Sequence, residues 1–282
     1  MANQKKELFQ VSVHEHLPLI HNHDVIGIIP QIILIIPFLI ALIAYIVAVF
    51  ISNRKYRHWS LYRTLSWVVG IVIAVVAVSG PVAERAHVDF TAHMLGHLFL
   101  GMLAPLLLVL AAPMTLLMRT LNVTLARQLS RLLKTVPVRI INDPIVATLL
   151  NVGGLWVLYT TDLYSAMHEN LILHVFIHVH VFLAGFFFTL SMIYIDPTPH
   201  QTSYVYRSII LVFAMAAHGI LSKYIYVNPP SGVSLSQAER GGKLMYYGGD
   251  AIEILLILIL CVQWYKASRP RHSLVSDTYS IS

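Results

Sequence analysis

Charged residues and cysteines are both scarce in this chain of 282 residues. Only 11% of the residues are charged and 57% are hydrophobic, whereas an average soluble domain is about a quarter charged. This composition, with a mean hydropathy of +0.72, excludes a disordered protein, a coiled coil and almost any soluble enzyme. The single cysteine, Cys261, excludes a disulfide scaffold.

Long apolar runs are the main feature of the sequence. A transmembrane helix needs about 20 mostly apolar residues, and seven such runs occur. They cover residues 25–50, 65–82, 93–118, 140–160, 171–195, 204–226 and 244–265. Lipid forces a backbone to satisfy its own hydrogen bonds, so each run is expected to be helical. The first run is too long for a cleaved signal peptide.

These runs predict an all-α membrane protein with a bundle of seven transmembrane helices. We expect an extracytoplasmic N-terminal segment (1–24), a transmembrane domain (25–265) and a cytoplasmic tail (266–282). Lys and Arg concentrate in the loops that follow the first, third and fifth runs and in the tail, with thirteen there against five on the other side. Cytoplasmic loops carry the excess of positive charge, so the N-terminus is predicted outside and the C-terminus inside. The basic pI therefore reflects topology and does not indicate a nucleic-acid partner.

Histidine is unusually abundant, with 15 residues against 13 for Asp and Glu together. With the predicted topology, twelve histidines fall in the outer half of the protein. They are His14, His16, His21 and His23 near the N-terminus, His87 and His168 in outer loops, and His93, His97, His174, His178, His180 and His218 in the spans. Ionisable side chains within a membrane are expensive unless they have partners, so this layer suggests a functional site.

Two pairs of histidines have the spacing of a metal site. His93 and His97 are four residues apart, as are His174 and His178, so each pair shares one helix face. Each pair alone is also compatible with structural histidines bonded to carbonyls and water. Two pairs at one depth favour a site between helices. We therefore expect the metal ligands to be His93, His97, His174, His178 and His218. Side chains that could add to this site are Met94, Met215, His180, Asp250 and Glu253. The N-terminal His14, His16, His21 and His23 are expected to be accessory.

Three functions remain open from the residues themselves. Imidazole suits zinc, copper and iron, and thioethers select Cu(I), so methionines beside the histidines favour a copper-handling protein. A membrane cytochrome would hold haem iron between two of the histidines. A zinc-dependent intramembrane hydrolase would use Asp250 or Glu253 as the base.

The same residues resemble a known family. The segments that carry the resemblance are HMLGH at 93–97, GMLAPLLLVLAAP at 101–113, HVFIHVH at 174–180, GFF at 185–187, His218 and GGD at 248–250. Together they are similar to the CtaG family of polytopic cytochrome c oxidase assembly factors, which accompany oxidases of the caa(3) type. The resemblance covers about residues 25–265.

The resemblance implies a role without catalysis in a bacterial cell membrane. It implies that the partner is cytochrome c oxidase subunit I, and that copper, as Cu(I), is delivered to its histidine-bound copper centre. A haem-insertion helper or a scaffold is the alternative within the same biology. Whether two copies associate as a homodimer stays open.

Overall fold

The computed structural model describes residues 22–269, with side chains from residue 29 onward, and every regular element in that part of the chain is helical. The helices are α1 (Asn22–Lys55), α2 (Leu61–Val78), α3 (Gly80–Ala86), α4 (Phe90–Leu110), α5 (Pro113–Thr120), α6 (Val123–Leu133), α7 (Val136–Ile141), α8 (Pro144–Thr160), α9 (Leu163–Glu169), α10 (Leu171–Met192), α11 (Tyr204–Val227) and α12 (Leu235–Ser268).

Within residues 22–269, six helical segments are long and apolar enough to cross a membrane. They are α1, α2 continued by α3, α4, α10, α11 and α12. The fourth predicted run forms α8, which is shorter than the roughly 20 residues that cross a bilayer. It passes the same test only together with α9, and the two are bent by 80°. The helical fold is therefore confirmed, whereas seven spans result only if this bent pair counts as one.

The third span ends earlier than the apolar run suggested. We expected a helix over 93–118, but α4 stops at Leu110 and Ala112 adopts a left-handed conformation with φ of 53°. Pro113 then begins α5, because proline has no amide hydrogen and fits the first turn of a helix. The expected loop between the third and fourth runs contains α6 and α7, and Asn122 and Asp143 cap the helices that follow them.

Helix α4 is the most buried of the candidate spans and packs against α2, α10 and α12. One turn of it, Phe99–Leu103, is π-helical. There the backbones of α4 and α10 touch, because a Cβ at Gly185 would overlap the carbonyl oxygen of Gly101. The outer spans instead expose large apolar side chains such as Ile43, at 64%, and Phe213, at 67%. These belts suit contact with lipid.

The two ends of the bundle differ in chemistry. At one end, which we call the basic end (residues 51–61, 111–143, 193–203 and 266–269), Arg119 donates to the carbonyl of Arg57 at 2.8 Å. Asp196 accepts there from the amide of Met114 at 3.0 Å. At the opposite end, which we call the histidine end (residues 86–90, 160–171 and 227–235), Gln237 donates to the carbonyl of Val88 at 3.2 Å.

The positive charge of the basic end predicts its orientation. Reporter fusions after Ser130 and at the C-terminal tail should both give a cytoplasmic signal, because loops rich in Lys and Arg stay on the cytoplasmic side of the membrane. A fusion after Ser231 should give an extracytoplasmic signal. The reverse pattern would overturn the predicted orientation.

Because Gly101 and Gly185 are in close contact, one methyl group added at Gly185 should clearly destabilise the protein. Gly185→Ala should lower the thermal unfolding temperature of the purified protein, since overpacking costs about 1–3 kcal/mol. Gly153→Ala is the matched control, because a Cβ at Gly153 meets nothing within 4 Å. Equal unfolding temperatures for the two variants would show that the helices separate easily at this point.

Candidate functional site

A cavity of about 40 Å³ lies at the histidine end, between α4, α9 and α10. Such a volume holds roughly two or three water molecules. Six histidines line it: His87, His93, His97, His168, His174 and His178. Four of these are the predicted pairs on α4 and α10, so the structure brings both pairs to one cavity.

The six histidines form a gradient of burial. His87 and His168 are exposed, and His174 and His178 are half-buried. His93 and His97 are buried, at 9% and 6% exposure. The cavity therefore leads from the surface of the histidine end into the bundle.

Neighbouring rings along this gradient are closely spaced. The ring centroid of His87 lies 6.0 Å from that of His168 and 5.7 Å from that of His174. The rings of His174 and His178 stack at 4.2 Å, and His168 lies 6.3 Å from His93. Five of the six rings thus form a series of neighbours, from His178 through His174, His87 and His168 to His93, with centroids no more than 6.3 Å apart.

Backbone carbonyls fix the tautomers of two of these rings. The Nδ1 atoms of His168 and His178 each lie 2.8 Å from the carbonyl oxygen four residues earlier, on Tyr164 and His174. A carbonyl only accepts, so Nδ1 must carry the hydrogen, and the neutral ring keeps its lone pair on Nε2. Metal-binding histidines in proteins are commonly oriented in this way.

His87, outside the spans, also favours the neutral form. Desolvation of its ring, and then the charge of a protonated His168, lower its pKa below the ordinary value. A neutral imidazole has the lone pair that a metal needs.

His93 has a different partner from the other histidines. Its Nε2 lies 3.0 Å from the hydroxyl of Tyr159, and its ring meets Tyr164 edge-on at 5.0 Å. Phe90 stacks on the same ring at 6.0 Å. These aromatic neighbours hold the imidazole in place, so His93 is both a wall of the cavity and a structural contact.

His97 is the point where this cavity meets a second one, of about 30 Å³, deeper in the bundle. Within the described residues neither of its ring nitrogens has a hydrogen-bond partner. His218 lies across the second cavity, and its ring centroid is 6.3 Å from that of His97. His218 Nδ1 is 3.4 Å from a carboxylate oxygen of Glu253, and both residues are buried.

Two glycines make room for the histidines around these cavities. A Cβ at Gly249 would overlap the ring of His218, and one at Gly154 would lie 2.5 Å from Nε2 of His180. That Nε2 donates to the carbonyl of Leu150, at 3.1 Å, in the π-helical turn Leu149–Gly153 of α8. His180 therefore joins α10 to α8 and does not line either cavity.

The remaining predicted site residues lie elsewhere. Met94 is fully buried against Phe90 and α12, and Met215 packs in the apolar cluster around α11 and α12. Asp250 is half-buried on α12. His14, His16 and His21 and the side chain of His23 lie outside the described residues. Among the described residues, no three His, Cys, Asp or Glu are arranged to hold one metal ion.

Several residues of the cavity were missed by reasoning from the sequence. His87 and His168 were placed in outer loops but not in the site, and Tyr159 and Met167 were not singled out. The available signal was the position of His87 and His168 immediately beside the histidine-bearing spans. The bend between α8 and α9, which turns His168 towards α4, is not visible in the hydropathy.

His93 and His97 differ in their hydrogen bonding, so replacing each imidazole should change the stability of the protein differently. His97→Leu should leave the thermal unfolding temperature unchanged or raise it, because a buried ring without hydrogen-bond partners becomes apolar. His93→Leu should lower it, since the Tyr159 hydroxyl loses its partner at a cost of about 1–3 kcal/mol. A large loss of stability in His97→Leu would show that this ring is held by bonds beyond those described.

Comparisons with known proteins identify relatives and a family. Two uncharacterized mycobacterial proteins are 27% identical: one from Mycobacterium leprae over 229 residues, 74% of this chain and 35% of the relative, and one from Mycobacterium bovis over 238 residues, 77% and 36%. This chain thus spans about a third of the length of the curated relatives it matches. No solved structure matches. The family model of the cytochrome c oxidase caa3 assembly factors, CtaG, matches residues 43–267, so the chain belongs to that family.

Proposed function

We propose that this protein carries copper during cytochrome c oxidase assembly and delivers it to subunit I of the oxidase. The observation that carries the proposal is the line of six histidines around one cavity, exposed at its mouth and buried at its inner end. The family supplies the biological setting of oxidase assembly. A delivery protein must both accept an ion from outside and release it, and graded burial suits both steps.

The spacing of the rings supports transfer by ligand exchange. Cu(I) is stable with two imidazole ligands, so it needs pairs of histidines and no closed cage of three. His174 and His178 would form such a pair once their rings, which are stacked with centroids 4.2 Å apart, turn so that a nitrogen of each points at the same ion. An ion bound there would move to a neighbouring ring by ligand exchange, in which one imidazole at a time is replaced by the next. The Nε2 of His178, which keeps its lone pair because Nδ1 donates to a carbonyl, would be one of the two ligand atoms of an ion bound there.

Thioethers beside the cavities favour the reduced ion. Met167 lines the outer cavity and Met102 the inner one, and thioether sulfur selects Cu(I). Both methionines are different from Met94 and Met215, the two that the sequence suggested. The copper ion is therefore the cargo, with imidazole and thioether as its ligands.

The inner cavity would be the innermost position that the copper ion reaches. A carboxylate in the membrane interior is expensive unless a positive charge compensates it. Glu253 has one oxygen near His218 and the other without a partner among the described residues. A cation that reaches His97 would approach that carboxylate, so Glu253 favours movement of positive charge inward.

The geometry weighs against the two other functions. Two axial histidines suffice to hold a haem iron, which would leave most of the six histidines around the cavity without a role, so a copper carrier accounts for more of the site than a cytochrome or a haem carrier does. A catalytic zinc ion takes three protein ligands and a water, and the described residues offer no such group of three. An assembly role without catalysis, in a bacterial cell membrane, fits the histidine site best.

The proposal is tested by copper binding and oxidase activity in one set of variants. The double variant His174→Ala and His178→Ala, and separately His97→Leu, should bind less Cu(I) than the parent protein when purified under reducing conditions. Cells carrying either should make the oxidase subunits but lose most oxidase activity. Added copper should restore part of that activity, since mass action replaces a delivery protein.

His180→Gln is the matched control. His180 lies on the same helix, but it contacts Leu150 outside the cavity, and glutamine keeps a hydrogen-bond donor. Its copper binding and oxidase activity should be unchanged. Activity lost together with the oxidase haem spectrum, with no rescue by copper, would favour the haem-insertion alternative. Full activity in the double variant would reject the copper proposal.

A further inference from the structure

Helix α6 at the basic end has an amphipathic surface that no other part of residues 22–269 covers. None of its residues is buried. Leu125 and Leu132 expose 46% and 56% of their surfaces, and Val136 at the start of α7 continues this apolar strip at 55%. Leu129 and Leu133, on the adjoining face, are half-buried against the protein.

The opposite side of α6 is basic. Arg127 and Arg131 are one turn apart, and Lys134 follows at the end of the helix; all three are exposed. At about 100° per residue, the two arginines lie roughly 100–140° around the helix from Leu132. The helix thus presents an apolar strip and a cationic strip side by side.

The charge of this segment is entirely of one sign over a long stretch. Between residues 111 and 142 the chain has five Lys and Arg and no Asp or Glu. The next acid, Asp143, uses its carboxylate to cap α8. The basic groups therefore have no acidic partner within the segment.

The position of α6 limits what its apolar strip can meet. The segment 111–143 joins the ends of α4 and α8, and Asp196 holds α5 through its first amides. The end of a spanning helix lies at the membrane surface, so α6 is kept at that surface. An apolar strip beside a cationic one is typical of helices that lie in the headgroup layer.

We propose that α6 is an interfacial helix that binds anionic phospholipid. Leu125 and Leu132 enter the boundary of the acyl chains, while Arg127, Arg131 and Lys134 contact lipid phosphates. Charge complementarity commits the surface to anionic lipid, because basic residues beside a span are attracted to a negative leaflet. The proposal is independent of copper binding.

A groove beside α6 extends this surface. Arg119 and Lys134 line it, together with the hydroxyl-bearing Tyr56 and Ser130 and the apolar Met118. Two cations in one groove with apolar side chains match the headgroup and the upper acyl chain of a single lipid. The groove therefore adds a discrete lipid position to the general attraction of the helix.

The test measures lipid contact in the full-length protein. In a Cys261→Ser background, a fluorophore is attached at Leu132→Cys, and the protein is placed in nanodiscs with brominated phospholipid. Fluorescence should fall by about half or more, because the strip lies among acyl chains. Thr124→Cys, on the polar side, is the matched position and should be quenched much less.

The preference for anionic lipid is measured separately, by the phosphatidylglycerol retained through detergent purification. The triple variant Arg127→Gln, Arg131→Gln and Lys134→Gln should retain several-fold less than the parent. Arg85→Gln, Arg240→Gln and Lys243→Gln, at the histidine end, remove the same charge and should retain nearly as much.

Two results would overturn the inference. No quenching at position 132 would show that the strip is not in lipid. Disulfide cross-links between copies of the same variant before labelling would show that a second copy covers it. Unchanged retention in the triple variant would show that the basic residues do not select anionic lipid.

Discussion

The arrangement of this protein depends on the cost of keeping polar groups in a membrane. Imidazole and carboxylate side chains within the bundle need partners, and the helices are placed to give most of them one. His93 reaches a tyrosine, His178 a carbonyl and His218 a carboxylate. The exceptions at the inner cavity are informative: both ring nitrogens of His97, Nε2 of His218 and one oxygen of Glu253 have no partner among the described residues.

Much of the fold follows from the sequence, because lipid allows few solutions. Apolar length and charge asymmetry predict helical spans with basic loops gathered at one end, and the structure places those loops together. Hydropathy does not show where a helix bends. The left-handed Ala112 and the break between α8 and α9 depend on local backbone geometry, and the fourth predicted run becomes a span only if the bent pair α8 and α9 counts as one.

The candidate site was predictable in part for the same reason. Spacing of four residues places His93 with His97 and His174 with His178, and the cavity contains both pairs. His87, His168 and Met167 depend on how loops and a bent helix fold over α4, which no periodicity encodes. The methionines illustrate the limit well. Met94 shares the helix with two of the histidines, yet its side chain packs against α12, whereas Met167 from α9 reaches the cavity.

Among the described residues, His97 is the one side chain that lines both cavities. If copper moves between them as proposed, each ion would pass this one imidazole ring in turn, and its movement would be reversible unless the inner cavity has its own exit. Under the proposed function, an ion that enters last would be the first to leave, so loading and delivery would compete for one mouth. A recipient that docks at the histidine end would then block access for the copper donor. Donor and recipient would have to bind one after the other, because both would use the same opening of the cavity.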